Sequence, residues 1–229
     1  MVNKIKRGIR VLNARIGGEK EQSRLPELLS RWLLPLVVVG SLLPSVCPAT
    51  SVEQISTDQL IAGSELVIDA RVTAVQVRPA GPRALPYTYA TLEVIDVIKG
   101  NYAKRAIELG FMGGTLQGQT FTITAMHPPQ IGERGIYFIE SLSRQQVHPL
   151  YGWDQGHYVV RADVPTGEYR VYTRALQPVT GMESAELEAQ GLSKGYAADL
   201  EVQSATKGAV ALPVEQFKAG LRRQIEVQQ

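Results

Sequence analysis

The chain has 229 residues, 44% hydrophobic and 20% charged, which suits a globular domain with a sizeable core. Its formal charge of +2 hides an asymmetry: residues 1–49 carry 8 Lys and Arg against 3 Glu, leaving 16 basic and 19 acidic residues in the remainder. A weakly negative body lacks the electrostatic footprint that phosphate backbones require, so nucleic-acid partners are set aside.

The front reads as a targeting segment. Lys4, Lys6, Arg7, Arg10 and Arg15, with Arg24 and Arg31 further on, precede the apolar run WLLPLVVVGSLLP at 32–44. That run is short for a membrane span and suits the core of a signal peptide. Cleavage is expected after Ala49, with Cys47 at the −3 position, because Pro48 disfavours a cut directly after Cys47. Lipid attachment at Cys47 is disfavoured by the preceding Pro44, Ser45 and Val46, and an uncleaved anchor by Pro35 and Pro44. A prelude of about thirty residues is long for a bacterial signal, and a start codon placed too early accounts for it most simply. Cleavage after Ala49 would leave a mature chain without cysteine, excluding disulfides, thiol catalysis and cysteine-held metals. The expected location is periplasmic or secreted, with membrane contact only through the signal segment.

Residues 56–64, STDQLIAGS, predict a short helix capped by Ser56 or Thr57 and ending near Gly63. In ELVIDARVTAVQV, at 65–77, Leu66, Ile68, Ala70, Val72 and Ala74 share one face, which predicts a long half-buried strand. A proline-rich loop is expected at 78–86, followed by a second long strand in YTYATLEVIDVIKG at 87–100. Its alternation slips beyond Ile95, and a bulge near Ile95 and Asp96 would restore the phase and bend the strand. Shorter strands are expected at 106–111, 121–126 and 135–139, and a hairpin of 157–162 with 169–173 around DVPTGE. Residues 176–212 are small, polar and alanine-rich, which predicts a partly helical or mobile connector. The last segment, 213–229, places Val214, Phe217, Leu221 and Ile225 at helical spacing behind Pro213. The plan is a signal segment at 1–49, a β-domain at 50–175, the connector, and a C-terminal amphipathic helix. The expected fold is mainly β: a small closed or partly open antiparallel barrel flanked by a short N-terminal helix and the C-terminal one.

Five stretches taken in order, ELVIDARVTAVQV, YTYATLEVIDVIKG, GFMGGTLQGQ, MHPPQIGERGIYFI and YGWDQGHYVV, resemble a widespread group of uncharacterised bacterial exported proteins. The resemblance covers about residues 58–172, with an echo in the final helix. In that group the last stretch recurs as Gly-x-x-Gln-Gly-x-aromatic, matching Gly152, Gln155 and Gly156. The group is similar in fold to the five-stranded barrel of the oligonucleotide/oligosaccharide-binding type, in the variant found in tissue inhibitors of metalloproteases. Those inhibitors chelate zinc through an N-terminal cysteine, which the mature chain would lack, so the resemblance carries fold and not activity.

The densest candidate chemistry is HPLYGWDQGH, residues 148–157. His148, Asp154 and His157 are the metal-ligand candidates, but their spacing matches no strong zinc pattern. No Gly-x-Ser-x-Gly occurs for a serine hydrolase, and Gly113, Gly114 and Gly118 lack the Lys-Ser/Thr ending of a phosphate loop. Neither a catalytic residue nor a cofactor is expected. Tyr87, Tyr89, Tyr151, Trp153 and Tyr158 are candidates for an aromatic contact patch, with Tyr151, Trp153 and Tyr158 nearest the motif. The leading expectation is a non-enzymatic exported binding domain whose partner is an envelope or extracellular protein or a glycan. A metal-assisted or acid/base hydrolase and an extracellular protease inhibitor are the alternatives.

Overall fold

The computed structural model describes residues 52–182, 191–204 and 208–229. The signal segment, Cys47 and Ala49 lie outside the described residues.

The first helix, α1 (Thr57–Gly63), begins as its sequence dictates. Ser56 accepts from the Gln59 N–H and the Gln59 side chain accepts from the Ser56 N–H, a reciprocal capping box that settles two otherwise unpaired donors. Leu60 and Ile61 point from it into the core.

Two long strands follow, β1 (Leu66–Ala80) and β2 (Leu85–Lys99). They extend further than expected: the proline-rich loop contracts to a turn over residues 81–84, with Gly81 at φ +69° and Ala84 at φ +50°. Pro79 and Pro86 face each other across the hairpin, so neither is asked for a ladder donor it lacks. The expected bulge is present. Asp69 pairs with Asp96 and Ala70 with Val94, leaving Ile95 as the extra residue, 47% exposed. Further shifts at Ile98 and Thr73 add to the bending of the hairpin.

The remaining main-sheet strands are β3 (Ala106–Met112), β6 (Arg134–Ile139), β7 (His157–Ala162) and β8 (Tyr169–Thr173), with the small hairpin β4 (Gly114–Leu116) and β5 (Gln119–Phe121) between β3 and β6. Their order is β3-β2-β1-β6-β7-β8, antiparallel throughout, and no sheet is closed among the described residues. Among the described residues the protein is therefore mainly β with two helices, but the closed form of the expected barrel is corrected to an open sheet. The strand expected at 121–126 is also corrected. Only Phe121 belongs to β5, and the chain then turns, with Met126 N–H donating to the Ile123 carbonyl at 3.1 Å. Alternation there has no buried face to serve, since Phe121, Thr122, Thr124 and Ala125 are exposed.

Both faces of the sheet are covered. On one, Val67, Ile136, Phe138, Tyr158, Val160 and Val171 pack against α1 and the C-terminal helix α2 (Val214–Val227), through Phe217, Leu221 and Ile225. On the other, Leu66, Ile68, Leu92, Leu109, Phe111, Tyr137 and Leu150 form a second cluster. Within the stretch read as a partly helical or mobile connector, β9 (Val179–Met182) pairs with β10 (Leu200–Val202), and Val179, Ala197 and Leu200 are buried. No helix occurs there among the described residues, which stop short at 183–190 and 205–207.

Candidate functional site

The motif HPLYGWDQGH is the corner that delivers the chain into β7. Residues Trp153–Gly156 form one turn of 3-10 helix ending where β7 begins. Gly152 sits at φ +68°, and a side chain there would meet Ile55 at 2.6 Å. A Cβ at Gly156 would collide with the Tyr151 carbonyl. Gln155 is wholly buried and acts as the hub. Its amide nitrogen donates to the carbonyls of Glu53 (2.8 Å) and Gly152 (3.4 Å). Its carbonyl oxygen accepts from the Ile55 N–H (3.0 Å) and the Gln54 side chain (3.1 Å). Gly152 and Gln155 thus fasten residues 53–55 to the corner, and Gly156 lets the corner close against Tyr151.

The three metal-ligand candidates do not converge. His148 is stacked on Trp153 at 5.1 Å between ring centres and meets Phe111 edge-on, while its Nδ1 accepts from the Leu150 N–H. Burial pushes its pKa down to about 3, so the ring is neutral. Asp154 turns instead to His127, 3.1 Å from Nδ1 to Oδ2, at the exposed rim. His157 stacks on Tyr137 over Gly135 and places Nε2 3.1 Å from Glu133. Burial holds the His157 pKa below its usual value, making this a neutral imidazole beside a carboxylate. The contact lacks hydrogen-bond alignment: Glu133 Oε1, Tyr137 Oη, His157 Nε2 and Arg174 Nε are buried without an aligned partner among the described residues. Among the described residues no group of three or more His, Cys, Asp or Glu is arranged to hold a metal.

The aromatic candidates separate in the same way. Tyr158 is corrected outright as a contact residue: it is fully buried and its hydroxyl accepts from the Ala197 N–H at 3.0 Å. Tyr151 packs its ring against Gly63, where a Cβ would clash with it. Trp153, with φ +59°, remains half-buried beside His148. Tyr87 and Tyr89 lie elsewhere, on β2, with ring centres 6.1 Å apart.

Those two tyrosines belong to a cleft of about 600 Å³. Its walls are β3 with the adjoining Tyr102 and Lys104 on one side and the loop 141–146 with Pro149 on the other. Sequence reasoning missed Tyr102, Lys104 and the loop, because the loop meets β3 only through the fold. The main-chain phase of β3 is fixed by its bonds to β2. Gly113 N–H donates to Pro86 and Val94 N–H to Arg105, each at 2.8 Å, so odd-numbered residues of β3 face β2. Glu108 and Gly110 therefore direct their N–H and C=O groups outward, into the cleft. Met112 does the same and is taken, its N–H donating to the Val147 carbonyl at 2.9 Å. At the other end the Ala106 carbonyl accepts from the Tyr102 hydroxyl at 2.8 Å.

Compared with known proteins, the chain matches no family model, and no curated protein or solved structure matches it. The reading of function rests on the cleft.

Proposed function

We propose that this protein is an exported, non-enzymatic binding domain and that the cleft between β3 and the loop 141–146 is its binding surface. The observation that carries the proposal is the cleft itself. Its volume lies within the range of ligand sites, and it combines apolar floor (Ile107, Leu109) with polar walls (Lys104, Gln145, Gln146). The export half of the reading rests on the basic prelude, the apolar run and the small residues before Thr50. Kinship with the exported group and its barrel belongs to the same proposal, and the strand order supports it. A β1-β2-β3 meander with β6 and β7 added beyond β1 is the strand order of a five-stranded barrel, opened here by β8, which pairs with β7 where such a barrel would join β3.

A hydrolase centred on the 148–157 motif would need its acid and base to share an accessible space. His148, Asp154 and His157 each face a different partner, which favours binding over catalysis. The experiment that tests the proposal expresses the full chain with a photo-crosslinking residue at Leu142, on the cleft rim, or at Val164, on the exposed β7–β8 turn. The expected result is a discrete adduct at Leu142 and none at Val164, with the protein recovered outside the cytoplasm and shortened near Ala49. Equal labelling at both positions, or retention in the cytoplasm, would overturn it.

A further inference from the structure

We infer that the occupant of the cleft is an extended acidic peptide segment of a partner protein, which adds to the open edge of β3 by main-chain pairing. This rests on the binding reading above and names its ligand. Three observations select a peptide.

The first is the row of main-chain groups at the edge. Glu108 and Gly110 present donors and acceptors at strand spacing, and no strand pairs with them among the described residues. The Met112–Val147 bond shows that an outward main-chain donor of this edge takes a main-chain acceptor from another segment. From Ala106 to Met112 the edge is roughly 20 Å long at 3.3 Å per residue, and its ends are occupied, so the segment it takes is short.

The second is the state of the tyrosines. A sugar-binding platform needs an open ring face. One face of Tyr89 is taken, with the Arg78 guanidinium 4.0 Å from its centre, and the ring is crowded by Gly110, where a Cβ would come within 2.9 Å of it. Tyr87 is only 5% exposed. The rings therefore shape a wall, and Gly110 leaves room for it.

The third is charge. Glu108, the acid on β3, is held by Arg78. Lys104 is exposed at the cleft and has no ion-pair partner among the described residues. An unmatched cation beside a short strand edge complements a carboxylate on the incoming segment.

The test pans a phage-displayed library of random heptapeptides against the full wild-type chain and probes the same protein on an array of bacterial glycans. Enriched peptides are then measured against Glu108→Pro, Glu108→Ala and Lys104→Glu. Proline at 108 deletes an outward N–H without touching the β2 ladder, a substitution that edge strands tolerate. A thermal melt confirms that each variant folds. The expected result is enrichment of peptides carrying Asp or Glu, with E108P weakening them roughly tenfold more than E108A. K104E weakens them roughly threefold. In the wild type, peptide addition slows amide exchange at Glu108 and Gly110, a readout independent of the variants. Peptides that bind E108P as well as E108A overturn the inference. A glycan that binds, with no peptide enriched, overturns it and leaves the binding domain standing. If neither probe binds and Leu142 gives no adduct, both fall.

Discussion

Gln155 shows how a residue that looks functional in sequence is consumed by structure. It sits among two histidines, a tryptophan and an acid, yet its carboxamide is spent on four hydrogen bonds, three of which join Glu53, Gln54 and Ile55 to the corner before β7 while the fourth closes on Gly152 within it. Two of those partners are main-chain groups of a strap more than ninety residues away in sequence, bonded at 2.8 and 3.0 Å. Truncation would leave the buried Gln54 amide and these partly buried main-chain groups short of a partner, which costs more than the bonds contribute net. Gln155→Ala is expected to lower stability by about 2–4 kcal/mol, read as a shift in the urea midpoint with unchanged slope. Gln155→Glu keeps the shape but replaces the donating amide with a charge, and should be comparably damaging. A loss under about 0.5 kcal/mol in both would mean that the strap is not held by this side chain.

Among the elements, α2 is seated on the sheet by charge as well as by Phe217 and Leu221. Asp69 of β1 is fully buried and takes two bonds from Arg134, Nε to Oδ1 at 2.9 Å and a terminal nitrogen to Oδ2 at 2.6 Å. Lys218 reaches in from α2, its side chain only 4% exposed, 3.5 Å from Asp69 and 2.9 Å from Asp96. Arg222 adds a 2.8 Å contact to Asp96. Removing Asp69 leaves the Arg134 guanidinium, its side chain 10% exposed, without its acid, while Lys218 keeps Asp96 and Glu215, so Asp69→Ala should cost about 3–5 kcal/mol. Equilibrium unfolding would show it, and a cost below 1 kcal/mol would mean that the buried Asp69–Arg134 pair adds nothing net to stability. This arrangement was half legible in the sequence. The 3.6-residue spacing of Val214, Phe217, Leu221 and Ile225 announced the helix, and the slip of alternation at Ile95 announced the bulge that sets Asp96 toward it. That Lys218 and Arg222 answer Asp96 was not legible, because more than a hundred residues separate partners that only the fold brings together. The cleft escaped for the same reason: period two reveals which side chains of β3 are buried, but not that loop 141–146 lies across its free edge. The strand pair β9–β10 was hidden by composition, since short strands rich in small and polar residues give no periodic signal.

Over the whole molecule, the two edges of the open sheet are treated differently. At β8 the chain itself covers the edge, with Val171 N–H donating to Leu212 at 3.0 Å and Thr173 N–H to Gln177 at 2.9 Å. At β3, among the described residues, only the Val147 carbonyl and the Tyr102 hydroxyl do so, one at each end, and the loop carrying Val147 and Pro149 flanks His148. The wall of the cleft is thus tied to a buried neutral histidine, and this couples its integrity to acidity. His148 in the folded chain has its pKa at about 3, against about 6.5 when unfolded. Between those values the unfolded chain holds a proton that the folded chain refuses, so stability falls as pH falls below about 6.5. His157 is shifted in the same direction by burial and adds to the slope. For one such histidine the slope approaches about 1.4 kcal/mol per pH unit once the unfolded ring is protonated. Urea unfolding between pH 7.5 and 5.5 should therefore show a steady loss toward acid. His148→Phe, which retains an aromatic ring between Trp153 and Phe111, should flatten that loss by about one proton while lowering stability at neutral pH through the orphaned Leu150 N–H. Identical slopes for the wild type and H148F would show that His148 is not held neutral by its burial. A slope in the wild type that exceeds two protons over this range would place a third titrating group in the core.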